Sequence, residues 1–295
     1  MDATKCSFDD FAFIDTCSIV LAVIGEPVTL QVWRFDGSGV FYVGSFALPL
    51  TASGIAYLQM HFDGGPSASL AGARTLDDTP YALSPVPQLM SVTLRVIEPD
   101  PDMQEAEVAT FTMIMRLSLM FKALAQLRDP PEDVSRGLSG GEPLSDECIS
   151  NRTLEWKEWG PQSTRWLREE PDHRKWEPCL VGGRFATVTD NGPDPGDMMY
   201  MFLPLPQVVR VYDFRPYIVS RYMQSYPEDV CTTTSVILKS TMFQEDIHSM
   251  LPYHLATSKE LAQTMSGVMI DEGRLVCTKV SELTLVLKAL ADMRF

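Results

Sequence analysis

The chain is short of positive charge. It has 24 Lys and Arg residues against 39 Asp and Glu residues, and its formal net charge at pH 7 is −15. This excess of negative charge repels phosphate backbones and anionic lipid headgroups at long range. No run of about five Lys or Arg residues offsets it. We therefore expect neither nucleic acid nor a membrane surface as a partner.

The chain also lacks the patterns of secreted and zinc-binding proteins. Its six cysteines are scattered without a C-x-x-C pair, so we expect reduced and mostly buried thiols. The first residues, MDATKCSFDDF, are acidic where a signal peptide is basic. These absences predict a cytoplasmic or nuclear location.

Histidine is scarce as well, with four residues in the chain. Two close pairs could each contact a metal ion: His61 with Asp63, and Asp246 with His248. Neither pair has the spacing of a known metal motif, and histidines of the surface or the core are the simpler interpretation. We expect no metal and no cofactor.

Residues 37–62 contain no charged side chain and are long enough to span a bilayer. However, Pro49 and several glycines interrupt the segment. Its two halves, VFYVGSFAL and GIAYLQMHF, are rich in strand-forming residues and flank the turn-like LPLTAS. We predict two strands paired around that turn and no transmembrane helix.

Short β-rich runs continue along the chain. The first half contains FAFIDTCSIVLAVIG, VTLQVWRF and SVTLRVIEP, and the second half contains LVGGRFATVTD, VVRVYDFRP, TTTSVILKS and GVMIDEGRLVCTKV. Their spacing of roughly 8 to 15 residues favours a sandwich, barrel or propeller over βαβ units. Residues 109–127, ATFTMIMRLSLMFKALAQL, mix strand and helix signals, and we predict a strand pair. The C-terminal SELTLVLKALADMRF is consistent with a strand or a short helix. The fold class is all-β.

Residues 129–150, DPPEDVSRGLSGGEPLSDECIS, form a long acidic segment rich in Pro and Gly, which predicts an exposed or flexible loop. Within it, residues 137–141 match the G-x-S-x-G nucleophile motif around Ser139. No apolar strand precedes the serine and no amphipathic helix follows it, so a serine hydrolase is a remote alternative. The overlapping LSGG has no partner phosphate loop, because no Gly is followed by Lys. We expect no enzyme.

Residues 155–167, EWKEWGPQSTRWL, hold three of the five tryptophans. With Arg165, Arg168, Arg174 and Lys175 nearby, the rings could form a stacking surface for a ligand. Acidic neighbours offset that positive charge, so a buried corner is favoured, in which Gly160 and Pro161 set a turn and Trp166 seals the next strand. Burial of the rings would support the corner, whereas two open rings in a groove would support the ligand surface.

Several short motifs follow one another in a fixed order. They comprise Trp156, Trp159, Gly160, Pro161, Arg165 and Trp166 in W..WGP..TRW, Arg184 in GGR, Asp213 in VRVYDF, the FQEDI run at residues 243–247, Leu251, Pro252 and Tyr253 in LPY, and Asp271, Glu272 and Arg274 in MIDEGR. The series resembles the F-box-like proteins of mushroom-forming (basidiomycete) fungi, over most of the chain. We call the named residues the signature residues and interpret them as structural.

The resemblance implies a single domain over residues 1–295, an incomplete β-propeller-like body of roughly four to five sheets. It matches the region after the F-box, and the F-box itself is missing. The implied function is recognition of an unknown protein target for a ubiquitin ligase, by proximity and without a reactive side chain. A Skp-type adaptor would bind only through an upstream F-box. The alternative is a stand-alone scaffold or competitor. Open sheet edges would allow self-association.

Overall fold

Strands account for most of the structure. The computed structural model describes residues 7–37, 39–52, 55–64, 88–98, 107–126, 152–168, 179–190, 207–239, 242–261, 265, 267–270, 274–278 and 286–289. These residues form five sheets, almost wholly antiparallel, and none of the five closes on itself. The chain is therefore mostly β, as predicted. The loop predicted at 129–150, with Ser139, and the signature residues Asp271 and Glu272 lie outside the described residues.

The chain divides into two compact units. Unit 1 comprises Met1–Gly72, Leu89–Glu169 and Thr234–Leu251, and unit 2 comprises Ala73–Gln88, Glu170–Thr233 and Pro252–Phe295. A single propeller-like domain over residues 1–295 stays a prediction.

The first sheet of unit 1 has five strands in the order β1-β2-β3-β4-β8. They are β1 (Ser7–Asp15), β2 (Ser18–Ile24), β3 (Thr29–Asp36), β4 (Gly39–Ala47) and β8 (Thr153–Leu154). Alternate side chains face a common core, where Val20, Ala22, Leu30 and Phe46 are almost fully buried. The alternation of side chains between the two faces of each strand therefore decides which side chains of this sheet are exposed to solvent.

The second sheet of unit 1 has the order β5-β6-β7-β9. Its strands are β5 (Ala56–Gly64), β6 (Leu89–Glu98), β7 (Glu107–Arg116) and β9 (Thr164–Arg168), and a separate hairpin joins β14 (Ser235–Ile237) to β15 (Ile247–Ser249). Residues such as Val92, Leu94, Phe111 and Met113 belong to the same hydrophobic core as the first sheet. Unit 1 is therefore built around one core.

The predicted pairing of the two strands within residues 37–62 is wrong, although both strands exist. Strand β4 pairs with β3 and β8, whereas β5 pairs with β6. The connecting residues bond elsewhere, since the Leu48 amide donates to the Val28 carbonyl at 2.9 Å and Thr51 bridges to Phe243. Residues 48–52 therefore connect strands of two different sheets and do not close a hairpin between β4 and β5.

The strand pair predicted at residues 109–127 is half right. Strand β7 covers the alternating part, but the chain then forms helix α1 (Leu117–Ala125). The buried residues of α1 are Leu117, Met120 and Leu124, a spacing that lines up on one helical face. Helix-favouring Leu, Met, Ala and Lys and this spacing outweigh the strand signal after Arg116.

Unit 2 contains a five-stranded sheet in the order β10-β11-β12-β16-β13 and a three-stranded sheet β17-β18-β19. The strands are β10 (Cys179–Val181), β11 (Arg184–Asp190), β12 (Gln207–Asp213), β13 (Val230–Cys231), β16 (Tyr253–Thr257), β17 (Gly267–Ile270), β18 (Arg274–Thr278) and β19 (Val286–Ala289). The run LVGGRFATVTD is a hairpin, because Gly182 and Gly183 both have positive φ, at 58° and 82°, between β10 and β11. Within the C-terminal run, Val286–Ala289 form strand β19.

Helix α3 (Pro216–Ser225) follows β12, where the sequence pattern indicated only the end of a strand. Proline is suited to the first position of a helix, and Ile218, Val219 and Tyr222 form the buried face of α3. A short 3-10 turn at Pro227–Asp229 leads into β13. Of TTTSVILKS, only residues 235–237 form a strand, in unit 1. No helix in the described ranges is long and apolar enough to cross a membrane.

Candidate functional site

The tryptophan segment folds as a helix, so the turn predicted at Gly160 and Pro161 is wrong. Both residues lie inside helix α2 (Trp156–Ser163). At its start the Glu155 amide donates to the Glu158 carboxylate at 2.8 Å, which closes one side of a capping box. A Gly-Pro pair is typical of a turn, but here the capped first turn and the packing of the Trp156 ring on Gly160 favour a helix.

The tryptophan rings lie in the core of unit 1. Trp159 is 2% exposed and Trp166 is 3% exposed, while Trp156 is partly buried. The Trp156 ring meets both others edge to face, with centroid distances of 5.1 Å to Trp159 and 5.7 Å to Trp166. The Trp159 indole nitrogen also donates to the Ala47 carbonyl at 3.0 Å. The rings form a buried cluster and do not line an open groove.

Gly160 and Pro161 shape this cluster in different ways. A Cβ on Gly160 would lie 2.3 Å from the Trp156 ring, so only glycine lets the ring rest on the helix backbone. Pro161 has no amide hydrogen to continue the helix, which ends two residues later. The Ser163 and Thr164 hydroxyls then donate to the carbonyls of Trp159 and Gly160. These bonds satisfy acceptors that a helix end otherwise leaves open.

The LPY motif meets the tryptophan motif through the backbone. The Met250 amide donates to the Pro161 carbonyl at 2.7 Å, and the Leu251 amide donates to the Thr164 carbonyl at 3.0 Å. In return, Nε of the fully buried Arg165 donates to the Leu251 carbonyl at 2.9 Å. Two motifs that lie 86 residues apart in sequence are therefore one hydrogen-bonded assembly.

Further bonds extend the assembly to the β14–β15 hairpin. Arg165 donates to the Ser235 hydroxyl, and the Trp166 amide donates to the buried Ser249 hydroxyl at 3.1 Å. Phe243, from the FQEDI run, packs against Trp166 with the ring centroids 6.1 Å apart. We call Trp156, Trp159, Trp166, Arg165 and Phe243 the tryptophan cluster. Its contacts give these signature residues a structural role.

The signature residues of unit 2 are also engaged in the fold. Asp213 is fully buried and forms a bidentate ion pair with Arg215, with Nε 2.9 and 3.1 Å from the two carboxylate oxygens. Arg184 is buried opposite Asp213 in the β11–β12 pairing. Tyr253 packs on Phe214, with 5.7 Å between ring centroids. Of the signature residues of unit 2 that the structure describes, the other two are Pro252, which is half-buried, and Arg274, which is exposed at the start of β18.

His254 is a buried ionisable side chain beside these residues. Its ring stacks on the Tyr222 ring, with a centroid distance of 3.9 Å and an interplanar angle of 30°. Burial lowers the pKa of His254, although the carboxylates of Asp213 and Asp229 act in the opposite direction. Its Nδ1 atom has no hydrogen-bond partner among the described residues. Burial therefore favours the neutral form of the His254 ring.

The two histidine pairs do not form a metal site in the described part of the chain. His61 contacts Asp10, with Nδ1 and Oδ2 2.8 Å apart, and the Asp246 carboxylate accepts a hydrogen bond from the Lys239 amide. No group of three or more His, Cys, Asp or Glu side chains suited to a metal occurs within the described ranges.

A solvent-facing row of three phenylalanines on β1 is the feature that the sequence did not single out. Phe8, Phe11 and Phe13 are 56%, 48% and 58% exposed. A bulge between Phe8 and Asp10 places all three on one face, and the ring centroids are 6.2 Å and 5.8 Å apart. We call these three residues the Phe row.

The Phe row lies on the outer face of the first sheet. Its neighbours across the ladder, Ile19 and Leu21 on β2, are apolar and partly exposed. The opposite face of β1 carries Ala12 and Ile14, which pack against the core of unit 1. The run FAFI is thus apolar on both faces of a strand at the edge of its sheet. This two-sided apolar pattern was the sequence signal that could have indicated an exposed apolar surface.

Two carboxylates of β1 bond to the edge of the second sheet. Asp9 accepts a hydrogen bond from the Met60 amide, and Asp10 accepts one from the Phe62 amide at 2.8 Å. These amides belong to β5, which is an edge strand. Aspartates therefore occupy donors that an edge strand would otherwise offer to another chain.

Comparison with known proteins gives no guide to the role of these surfaces. No protein-family model matches the chain, and neither a curated protein nor a solved structure does. The function has to be argued from the side chains themselves.

Proposed function

We propose that the chain is a protein-recognition module and that the Phe row is part of its recognition surface. The observation that carries this proposal is the exposure of three neighbouring phenylalanine rings on one face of β1. Burial of apolar surface contributes about 25 cal/mol of free energy per Å², and exposed rings do not gain this contribution. Contiguous exposed apolar groups on a folded protein are typical of interaction sites.

The burial of most signature residues also supports a binding surface formed by other residues. The tryptophan cluster is in the core of unit 1, and Asp213 is buried within unit 2. Side chains used in this way hold a scaffold together and are not available to a partner. Recognition is then the task of exposed residues that the motifs do not include. The module contributes binding and no reactive side chain.

The finer architecture that we propose is an incomplete β-propeller-like body of roughly four to five sheets. Five sheets in the described residues agree with that number. The resemblance to F-box-like proteins supports a receptor for a ubiquitin ligase target, acting in the cytoplasm or nucleus. The alternative is a stand-alone scaffold or competitor.

Binding to a purified Skp-type adaptor would favour the ligase role over the stand-alone role. We expect this chain alone not to bind the adaptor, because the resemblance covers only the region that follows the F-box. Robust binding by this chain would show that docking does not need the F-box and would favour the ligase role directly.

Peptide display against the immobilised chain tests the recognition function itself. We expect selection to enrich peptides on the wild-type chain that are lost on a variant combining Phe8→Ser, Phe11→Ser and Phe13→Ser. Enrichment of no peptide at all, under conditions in which the folded state is verified by circular dichroism, would contradict the proposed function.

A further inference from the structure

We infer that the Phe row binds a short segment of a partner protein in which apolar side chains alternate with Lys or Arg. This inference rests on the proposed recognition function and specifies the chemistry of its partner. The apolar side chains would pack on Phe8, Phe11 and Phe13, whose faces are exposed. The basic side chains would be attracted by the carboxylates of β1, of which Asp9 and Asp15 are exposed.

Charge around the Phe row favours a basic partner. Strand β1 carries Asp9, Asp10 and Asp15 and contains no Lys or Arg, and the neighbouring strands β2 and β5 contain no Lys or Arg either. The nearest basic side chain of this sheet is Arg34 on β3, two strands away. Two further basic groups lie near β5: the exposed His61 contacts Asp10, and the Arg95 guanidinium on β6 donates to the Gln59 side chain at 3.3 Å.

Such a distribution attracts cationic side chains and repels anionic ones. The donors that Asp9 and Asp10 bind on β5 are neutral backbone amides, which bring no positive charge to these carboxylates. Lys and Arg can also lie over the face of an aromatic ring, which adds a cation–π contact. The Phe row therefore combines apolar surface with two interactions that favour a cation: attraction by carboxylates and cation–π contact.

A second copy of the chain is a poorer occupant. Two copies joined through this face would bring the same carboxylates together, and like charges at an interface oppose association. Three half-exposed phenylalanines also offer roughly 300 Å² of apolar surface, given about 150 to 250 Å² for a whole aromatic side chain. A stable dimer needs about 800 Å² from each partner. The size of the row suits a short segment.

Addition of a strand to the adjacent β5 edge is also disfavoured. The Met60 and Phe62 amides, which would pair with an incoming strand, are already bonded to Asp9 and Asp10. Backbone pairing there would require those bonds to break. We therefore expect packing of its side chains on the outer face of β1, and not backbone pairing with β5, to hold the partner segment.

Three synthetic peptides test this inference on the full chain. Each has about nine residues, the length of a strand such as β1, and alternates Leu with Lys, with Glu or with Ser. In fluorescence anisotropy titrations, we expect the Leu-Lys peptide to bind at least roughly tenfold more tightly than the Leu-Glu peptide, with Leu-Ser between them. Raising the salt concentration from about 0.05 M to about 0.5 M should narrow that difference.

Variants locate the binding. Combined Phe8→Ser, Phe11→Ser and Phe13→Ser should weaken the Leu-Lys peptide by roughly tenfold or more. The matched control combines Leu50→Ser, Val236→Ser and Leu238→Ser, three other exposed apolar residues of unit 1, and should bind as the wild type does. Asp9→Asn keeps an oxygen to accept the Met60 amide but removes the charge of an exposed carboxylate, and should weaken the Leu-Lys peptide about threefold.

Three results would overturn the inference. One is equal or tighter binding of the Leu-Glu peptide, and another is unchanged binding of the Leu-Lys peptide by the Phe-row variant. The third is sedimentation of the wild-type chain as a dimer that the Phe-row variant converts to a monomer, which would make a second copy the occupant. If display selects acidic or uncharged peptides that need the Phe row, the recognition function stands and only the charge preference fails.

Discussion

The tryptophan cluster and the Phe row are both aromatic groups of unit 1, yet the fold uses them in opposite ways. Trp159 and Trp166 are almost fully buried; the Trp159 indole nitrogen donates to the Ala47 carbonyl, and the Trp166 backbone amide donates to the Ser249 hydroxyl. The Phe8 and Phe13 rings are more than half exposed, and each of them packs against the ring of Phe11. The difference teaches that the recognisable motif marks the scaffold, whereas the unmarked residues are available for binding.

Truncation of a buried tryptophan is the largest expected effect and tests the scaffold side of the comparison. Trp159→Ala removes a core ring and its hydrogen bond to the Ala47 carbonyl, and should lower the free energy of unfolding by about 3–5 kcal/mol. Trp159→Phe keeps most of the ring and should lose less. Urea denaturation followed by circular dichroism measures both. Two variants as stable as the wild type would show that the cluster does not hold unit 1 together.

Substitution of Gly160 tests how tightly the cluster is packed. The Cβ of Gly160→Ala would lie 2.3 Å from the Trp156 ring, so the variant should lose about 1–3 kcal/mol of unfolding free energy as the ring is displaced. Gly37→Ala is the control, because its Cβ would have no neighbour within 4 Å, and it should change stability by less than about 0.5 kcal/mol. Similar losses in the two variants would point to backbone flexibility and not to the contact with Trp156.

Acid sensitivity extends the comparison to unit 2. Because burial lowers the pKa of His254 in the folded state, the folded form binds its proton less readily than the unfolded form does. Its contribution to stability is therefore complete above the unfolded pKa of about 6.5 and is lost as the pH falls through the lower folded pKa. Hydrogen exchange detected by mass spectrometry should show peptides of β16 and α3 opening at mildly acidic pH.

Two variants decide whether His254 is responsible for that acid sensitivity. His254→Phe keeps an aromatic ring against Tyr222 but cannot be protonated, so it should remove the loss of protection at β16 and α3. His248→Gln alters an exposed histidine of unit 1 and should leave the loss in place. An acid response that persists in His254→Phe would assign it to other groups.

The smallest expected effect lies on the binding side of the comparison. Phe11→Ser removes a half-exposed ring, so the free energy of unfolding should change by less than about 0.5 kcal/mol. The same variant should bind less of the dye 8-anilinonaphthalene-1-sulfonate, which reports exposed apolar surface. A large loss of stability would mean that the Phe row supports the sheet, and the contrast with Trp159 would disappear.

The sequence predicted strands well because their signal is local. Runs such as VTLQVWRF and VVRVYDFRP contain the β-branched and aromatic residues of a strand, and each forms one, β3 or β12. Prediction from the sequence was wrong where tertiary contacts decide the conformation. EWKEWGPQS contains the Gly-Pro pair of a turn, but packing of the Trp156 ring on Gly160 and a capped first turn make it helix α2.

Contacts between distant segments could not be read from the pattern. Leu251 and Thr164 were both placed in motifs, yet periodicity carries no information about which motifs bond to each other. The Phe row was visible as an apolar run but not as an exposed one, since exposure depends on what covers the sheet. The likeness to F-box-like proteins and a role in ubiquitination stay predictions.

The bonds between residues 161–165 and Met250 and Leu251 also set an order of events while the chain is being made. Unit 1 takes its last segment, Thr234–Leu251, from beyond a long stretch that belongs to unit 2. Until that segment has left the ribosome, the Thr164 carbonyl and the buried Arg165 side chain lack their partner Leu251. Folding of unit 1 is therefore completed only after the intervening unit 2 segment, Glu170–Thr233, has been made, and a chain interrupted before then would expose the tryptophan cluster to chaperones and proteases.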